Sequence, residues 1–243
     1  MFQRHLQFSF AFFVIFFFQL LVETDPKSAK LILANFHFAI KPLITISLMI
    51  FLGYHTQLRG RFAKRIFIGL VFGLFGDCFL MFLDVDPSFF MYGLASFLIG
   101  HLAYISAFYL DYKWHPSGEK KYTKIALVVA GVFCLGFYLY LRPHLNEMKI
   151  PVMIYSIVIS AMAIMAVNRK GRVNTLSFNL IFWGAILFVV SDSILAFNKF
   201  VFPFEFAGIP IMITYMAAQY FITIGAVERK LKKHSVIEAE TNS

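Results

Sequence analysis

Charged residues are scarce in this sequence of 243 residues. Lysine, arginine, aspartate and glutamate together make up 14% of it, whereas about 25% is usual for a soluble globular domain. Hydrophobic residues make up 60%, and 32 residues are phenylalanine. So few charges on so apolar a chain exclude an ordinary soluble domain.

The sequence also lacks the motifs of several enzyme classes. No Gly-x-Ser-x-Gly elbow, Walker loop or dinucleotide fingerprint occurs. Only His37 and His101 fall inside apolar runs, too few for a histidine-rich zinc site. Cys78 and Cys134 both lie in apolar runs and do not indicate a disulfide. The loops are short, so any chemistry must lie within helices or at their ends.

What the sequence has instead is a series of long apolar runs. A helix rises ~1.5 Å per residue and a bilayer core is roughly 30 Å thick, so runs of about 15–22 residues can cross it. We predict an all-α fold, a polytopic transmembrane helix bundle of about eight spans. The runs lie at residues 8–22, 31–52, 66–83, 89–110, 122–141, 150–167, 176–197 and 207–227. No small-x-small cleavage pattern follows the first run, so we interpret it as a helix rather than a signal peptide.

Lysine and arginine are concentrated in alternate loops. With a cytoplasmic N-terminus, the basic clusters of the inner loops lie at 59–65, 113–124, 169–172 and 229–233. The positive-inside rule then predicts that both termini are cytoplasmic. This bias explains the net charge of +9 better than a nucleic-acid partner does. We predict a single transmembrane domain over residues 1–235 and a disordered cytoplasmic tail over 236–243.

Two short segments resemble each other, FGDCFLMF at 75–82 and VSDSILAF at 190–197. Their predicted helices run in the same direction, as a parallel four-plus-four internal repeat would require. Such a repeat would place Asp77 and Asp192 at similar depths, facing each other. Both lie roughly 8–9 Å inside the outer boundary of their runs, by the helical rise. The likeness is short, so chance and duplication both remain open.

The clearest ionisable side chains inside predicted spans lie on four different helices: Lys41, Asp77, His101 and Asp192. A charge within a span costs about 2.5–3.5 kcal/mol on insertion scales, so such residues are usually functional. The structural alternative is a buried Asp77–Lys41 pair that only joins two helices, and Asp192 has a similar alternative. Lys41 is equally suited to act as a counter-ion or to bind a phosphate.

Further polar residues accompany these four. His101 and Tyr104 lie one turn apart, Tyr215 and Gln219 share a helix face, and Asn198 and Lys199 follow Asp192. A histidine on an apolar face is often only a hydrogen-bonded core residue, and a Tyr/Gln pair alone indicates little. These residues are candidates for contacts with a polar headgroup.

Two aspartates that face each other in a low-dielectric environment cannot both ionise easily. One then remains an acid while the other is a carboxylate, which is the division of labour of acid–base catalysis. This pair suits three functions: peptide hydrolysis, acid-catalysed cleavage of an ether-type bond, and proton-coupled transport.

The order and spacing of five motifs make the chain similar to a known family. They are Lys41-Pro42-Leu43, GLVFGLFGDCFLMF (69–82), GHLAYISAF (100–108), SDSILAFNKF (191–200) and TYMAAQ (214–219). Together they resemble the lysoplasmalogenase family, YhhN-like membrane proteins of eight spans. The resemblance extends from the second to the eighth predicted helix, and the two Asp motifs are its most specific parts.

The resemblance implies hydrolysis of the vinyl ether bond of lysoplasmalogens. The products would be a fatty aldehyde and glycerophosphoethanolamine or glycerophosphocholine, formed without a metal or other cofactor. The partners would be a lysophospholipid substrate within the bilayer and the membrane lipids. Eukaryotic relatives imply the endoplasmic reticulum membrane. The family's two essential acidic positions correspond to Asp77 and Asp192.

The chemistry of the residues fits this implication. We hypothesise that Asp192 protonates the vinyl ether and that Asp77 stabilises the resulting cation, although the sequence does not rank the two acids. Lys41 or Lys199 would bind the phosphate. The remaining candidates for substrate binding are His101, Tyr104, Asn198, Tyr215 and Gln219.

Two other functional classes compete with this hypothesis. An intramembrane aspartyl protease would need Gly-x-Gly-Asp and Tyr-Asp motifs, but Gly73 is one residue too far from Gly76 and Ser191 precedes Asp192. A proton-coupled transporter or lipid-handling membrane protein would use paired intramembrane acids equally well.

Overall fold

The computed structural model describes residues 5–24, 34–114 and 121–232. The predicted tail, 236–243, lies outside these ranges. Within them the chain forms eight α-helices, which confirms the all-helical fold. They are α1 (Leu6–Thr24), α2 (Ala34–Thr56), α3 (Arg61–Leu80), α4 (Phe89–Trp114), α5 (Lys121–Leu141), α6 (Lys149–Val167), α7 (Thr175–Phe200) and α8 (Gly208–Val227). Two 3₁₀ turns, Arg142–His144 and Asn146–Met148, join α5 to α6.

Among the described helices, α4 to α8 are long and apolar enough to cross a membrane. The first two helices contain shorter apolar segments, Leu6–Leu21 and Ile40–Thr56. Helix α3, which carries Lys64, Arg65 and Asp77, is not among the five. The polytopic membrane architecture is thus confirmed, while the number of eight spans, the direction of insertion and the internal repeat stay predictions.

Several helices extend beyond the apolar runs, because basic and polar residues also continue a helix. Helix α3 begins at Arg61 rather than at residue 66, directly after Gly60 in the left-handed region (φ 84°). At the other end, α3 stops at Leu80 rather than at residue 83, while α7 continues to Phe200 rather than to residue 197. Asp77 therefore lies about 4.5 Å before the end of α3, and Asp192 about 12 Å before the end of α7, by the helical rise. The helix ends therefore do not reproduce the equal spacing that the apolar runs suggested.

Helix α3 packs most closely on α4, and α7 on α8. At Gly184 of α7, an added Cβ would lie 3.0 Å from the carbonyl oxygen of Ala218 and 2.8 Å from the Ile222 side chain. A small residue here lets the two backbones approach, as is common between membrane helices. Of the five long apolar helices, α8 is the most buried and α5 the least.

The N-terminal helix is part of the bundle. Ser9 Oγ and Tyr220 Oη share a 2.5 Å hydrogen bond between α1 and α8. At the same end of α1, His5 Nε2 lies 2.8 Å from Glu228 Oε1. These contacts agree with the interpretation of the first apolar run as a helix of the membrane domain.

A buried ion cluster joins helix ends on the face where the basic loops meet. Asp111, near the end of α4, accepts hydrogen bonds of 2.7 Å from Arg169 Nε and from Arg229 Nε. Arg169 Nη2 also donates to Ser177 Oγ of α7 at 2.9 Å. Asp111 and Arg169 are fully buried. Burial lowers the pKa of the Arg169 guanidinium, and Asp111 opposes this effect.

We expect Asp111→Asn to destabilise the protein severely. The substitution leaves Arg169 buried without its counter-ion, which costs roughly 3–5 kcal/mol, or a fall in melting temperature of about 10 °C. The measurement is thermal unfolding of the purified protein in detergent. Asp86→Asn, at an exposed loop position, is the matched control and should leave the melting temperature unchanged. Equal melting temperatures for the two variants would contradict the assigned role of the cluster.

Candidate active site around Asp77 and Asp192

Asp77 lies on α3 and is held by hydroxyl groups from two other helices. Its side chain is buried, with 2% of its surface exposed. Tyr215 Oη of α8 donates to Asp77 Oδ2 at 2.8 Å, and Thr45 Oγ1 of α2 donates to the same oxygen at 3.4 Å. The carboxyl group is therefore fixed in place by donors on separate elements.

A chain of hydrogen bonds extends from Asp77 into the bundle. Gln219 Nε2 donates to Tyr215 Oη at 3.2 Å, one turn along α8. Tyr104 Oη of α4 donates to Gln219 Oε1 at 2.6 Å. The structure thus brings three predicted site residues to Asp77. In such a chain each bond polarises the next, so the network orients Asp77 more firmly than Tyr215 alone would.

The glycines before Asp77 create the space for this network. A Cβ added at Gly73 would lie 2.8 Å from Gln219 Nε2 and 3.3 Å from Tyr215 Oη. A Cβ added at Gly69 would lie only 2.2 Å from the ring of Tyr104. The glycine-rich sequence around Asp77 therefore serves the polar network as well as helix packing.

Asp192 of α7 has a separate set of partners. Tyr155 Oη of α6 donates to Asp192 Oδ2 at 2.5 Å. His101 Nε2 of α4 lies 3.9 Å from the same oxygen. The side chain of Asp192 is 13% exposed, so it is more accessible than Asp77.

His101 is enclosed by aromatic rings. Its imidazole meets Phe188 edge-on at 4.6 Å between ring centroids, and Tyr155 at 5.4 Å. Neither ring nitrogen has a hydrogen-bond partner among the described residues. The predicted alternative, a hydrogen-bonded core histidine, does not match these contacts. The imidazole instead faces Asp192.

The two aspartates are neighbours without being directly bonded. No hydrogen bond joins them within the described part of the chain. The ring of Phe188 contacts the surroundings of both carboxyl groups. It meets His101, which faces Asp192, and it meets Tyr215, which donates to Asp77, edge-on at 5.4 Å between ring centroids. The predicted facing pair is therefore two adjacent carboxyl sites, each with its own donors.

The other predicted residues lie at the margins. Lys41 is half-buried one turn before Thr45, which donates to Asp77, and Lys41 itself makes no close ion pair with Asp77 among the described contacts. Asn198 Oδ1 accepts a 3.1 Å hydrogen bond from the backbone of Phe204, so it shapes the turn after α7. Lys199 Nζ lies 5.2 Å from the ring centroid of Phe90. The described contacts bring none of these three to Asp192.

A narrow cavity, which we term the Asp192 cleft, borders the second carboxyl group. It has a volume of about 50 Å³ and lies between α3, α4, α5, α6 and α7. Its lining is almost wholly apolar and includes Tyr155 and Asp192, but not Asp77. Of the two carboxyl groups, Asp192 is thus the one that can touch a molecule in the cleft. No group of three or more metal-ligating side chains occurs within the described ranges.

Two residues of the site were not predicted from the sequence. Thr45 lies four residues after Lys41, and this spacing places both on one face of α2, so a signal was available. Tyr155 lies in an apolar run without any distinctive spacing. Only the approach of α6 to α7 shows that its hydroxyl group meets Asp192.

Comparisons with known proteins point to one family. Residues 36–226 match the YhhN family. The chain is 34% identical over 175 residues to Lysoplasmalogenase TMEM86A of Bos taurus, covering 69% of this chain and 67% of that protein. Lysoplasmalogenase TMEM86B of Mus musculus is 32% identical, covering 68% and 65%. A Lysoplasmalogenase of Mycobacterium bovis is 32% identical, covering 56% and 50%. No solved structure matches.

The chain matches only part of the length of each relative. The chain spans about two thirds of the length of the two mammalian relatives and half of the mycobacterial one. The matched family region, 36–226, contains both aspartates and every residue that contacts them.

We expect Gly69→Ala to disturb the hydrogen-bond network of Asp77, although Gly69 contributes no hydrogen bond to that network. The added methyl group would overlap the Tyr104 ring, so Tyr104 must move away from Gln219, and overpacking of this kind costs about 1–3 kcal/mol. The melting temperature in detergent should fall by roughly 3–10 °C. Gly131→Ala, at a helical glycine with open space around it, should cause no fall because alanine favours the helix. A Gly69→Ala protein as stable as the wild type would show that the Tyr104 position is not constrained.

Proposed function

Because the chain belongs to the YhhN family, we propose that it is a lysoplasmalogenase that cleaves the vinyl ether bond of lysoplasmalogens. The substrates are lysoplasmenylethanolamine and lysoplasmenylcholine. The products are a fatty aldehyde and glycerophosphoethanolamine or glycerophosphocholine. The relatives named lysoplasmalogenase support this proposal, together with the pair of buried carboxyl groups.

The observation that carries the proposal is the different placement of the two carboxyl groups. Asp192 borders the apolar Asp192 cleft, whereas Asp77 lies behind it in a network of hydroxyl and amide groups. A reaction that needs a proton donor in contact with an apolar substrate, and a fixed negative charge nearby, fits this arrangement.

The first step is proton transfer to carbon. Asp192 in its acid form gives its proton to the β-carbon of the vinyl ether, and the double-bond electrons form the new C–H bond. The α-carbon becomes an oxocarbenium-like cation that shares its charge with the ether oxygen. The acid must reach the carbon that it protonates, which favours Asp192 over Asp77.

The negative charge of Asp77 stabilises this cation through space. Tyr215 and Thr45 both donate to Asp77 Oδ2, and hydrogen bonds of this kind stabilise a carboxylate. The Phe188 ring contacts both Tyr215, which donates to Asp77, and His101, which faces Asp192, so Asp77 lies near a charge that forms beside Asp192. Glycosidases divide the work between two carboxyl groups in a comparable way.

Water completes the reaction. It adds to the α-carbon while the Asp192 carboxylate accepts its proton, which restores the acid and gives a hemiacetal. The hemiacetal loses its hydroxyl proton, its carbon–oxygen bond to glycerol breaks, and the glycerol oxygen takes up a proton. One water molecule is consumed, and the products are the aldehyde and the free glycerol hydroxyl group.

The contacts change the roles proposed for several binding residues. Tyr104, Tyr215 and Gln219 are engaged in the network that holds Asp77, so we assign them to positioning rather than to the glycerol. The charges of Lys41 and Lys199 remain candidates for the phosphate.

Orientation and location are part of the proposal. Arg169 after α6 and Arg229 after α8 both pair with Asp111 near the end of α4, and Arg169 also lies beside Phe62 at the start of α3. These contacts support one basic end of the bundle, which the positive-inside rule assigns to the cytoplasm. We expect cytoplasmic termini and an endoplasmic reticulum membrane.

We expect the purified protein in detergent to release aldehyde from a synthetic lysoplasmalogen, with EDTA present. Diacyl and alkyl-ether lipids should not react, because only the vinyl ether becomes a stabilised cation on protonation. Asp77→Asn and Asp192→Asn should each lower kcat/KM by about 10²-fold or more. Asp86→Asn, at an exposed position, is the matched control and should retain full activity.

Each alternative result has a clear meaning. Aldehyde release that persists in both Asp77→Asn and Asp192→Asn would overturn the mechanism but not the activity. A folded wild-type protein that releases no aldehyde would overturn the proposed function. Substrate flux in proteoliposomes would then test the transporter alternative.

Tyr155→Phe should lower activity while keeping the fold. The substitution keeps the ring that contacts His101 and removes the hydroxyl donor to Asp192, so the carboxyl group loses its orientation. A fall in kcat of roughly tenfold is expected from the loss of a hydrogen bond worth about 1.5 kcal/mol. Tyr138→Phe, which removes a hydroxyl from an exposed hydrogen bond to the Lys149 carbonyl, is the control. Equal kinetics for the two variants would show that Tyr155 does not position Asp192.

A further inference from the structure

A second, larger apolar space adjoins the Asp192 cleft. It has a volume of about 590 Å³ and lies between α5, α6 and α7, and we term it the α5–α7 groove. Its walls include Val129 of α5, Ala163 of α6 and Ile186 of α7. This volume is typical of sites that bind small molecules.

The groove and the cleft share part of their walls. Phe133, Ser160 and Val189 line both spaces, one residue from each of the three helices. The Asp192 cleft alone, at about 50 Å³, holds only a few water-sized groups. A molecule whose reacting bond lies at Asp192 and whose remaining part is long must therefore extend out of the cleft, and the groove is the adjoining space.

The length of the groove matches a hydrocarbon chain. Along α7, Phe178 at its far end and Asp192 are separated by about 21 Å of helix. A bilayer core of roughly 30 Å contains two leaflets, so one lipid chain spans about 15 Å. A chain of this length fits between Asp192 and the end of the groove.

The far end of the groove is polar. There, Lys170 Nζ lies 3.3 Å from the centre of the Tyr122 ring. Both residues line the groove, and the remaining walls are almost wholly apolar. The apolar walls favour a hydrocarbon chain, whereas the polar groups of Lys170 and Tyr122 disfavour one. The groove therefore has a defined length.

We propose that the α5–α7 groove is the binding site for the hydrocarbon chain of the substrate. This inference rests on the proposed function, because that function places the vinyl ether at Asp192 with the chain attached to it. The headgroup then lies on the other side of Asp192. Burial favours binding by about fourfold for each CH₂ group, which makes the groove a determinant of chain length.

Two tryptophan substitutions on α5 test the groove. Val129 and Val132 are both exposed on the same helix, with 62% and 70% of their surfaces accessible, but only Val129 lines the groove. With a long-chain lysoplasmalogen, Val129→Trp should lower kcat/KM by about tenfold, which corresponds to about two buried CH₂ groups. With a short-chain analogue, and in Val132→Trp with either substrate, activity should be close to wild type.

A binding measurement makes the inference independent of hydrolysis. The wild-type protein in detergent is labelled with an alkyl-ether lysophospholipid that carries a photoreactive diazirine at the end of its chain. Label should be found on groove residues near Phe178 and Tyr122, and excess unlabelled lysolipid should remove it. Label at Val132 and on the outer face of α5 should persist when unlabelled lysolipid is added, because non-specific contact with the detergent micelle is not saturable.

The outcomes separate the two proposals. Competed label in the groove without any hydrolysis would support the lipid site and overturn the proposed function. Hydrolysis with label that is absent from the groove, or with equal chain-length profiles for Val129→Trp and Val132→Trp, would overturn the groove and leave the proposed function intact.

Discussion

A carboxyl group inside an apolar helix bundle must find its hydrogen-bond donors within the protein, because lipid supplies none. Three aspartates impose this requirement here. Asp77 links α3 to α2 and α8, Asp192 links α7 to α6 and faces α4, and Asp111 links the end of α4 to arginines that follow α6 and α8. Each set of donors comes from other elements, so satisfying the aspartates fixes how most of the helices pack.

The need for donors within the protein also gives Asp77 and Asp192 different chemical environments. Asp77 is surrounded by a chain of donors that ends at Tyr104, and the glycines of α3 make room for it. Asp192 has one hydroxyl donor, an adjacent imidazole and a border with open apolar space. Two residues of the same type thus acquire different environments, one suited to hold a charge and the other suited to reach a substrate.

Helix α5 takes no part in these described contacts, and this explains the groove. The helix is the least buried of the long apolar helices, and none of the three aspartates bonds to it among the described contacts. The space between them remains apolar and shares wall residues with the Asp192 cleft. The proposed hydrocarbon-chain site is this apolar space, and the low burial of α5 leaves it open.

The sequence by itself determined the helices and identified the two aspartates as candidate site residues. Apolar length and charge scarcity depend on local composition, so all eight helices and the intramembrane Asp77 and Asp192 could be found without a structure. Helix ends were less predictable, because Lys64 and Arg65 continue α3 although they are not apolar. Tertiary structure alone decided the partners: Tyr155 meets Asp192, and Tyr215 meets Asp77 rather than open space. These partners lie far apart in the chain, and hydrogen bonds depend on distances between helices that no local pattern encodes.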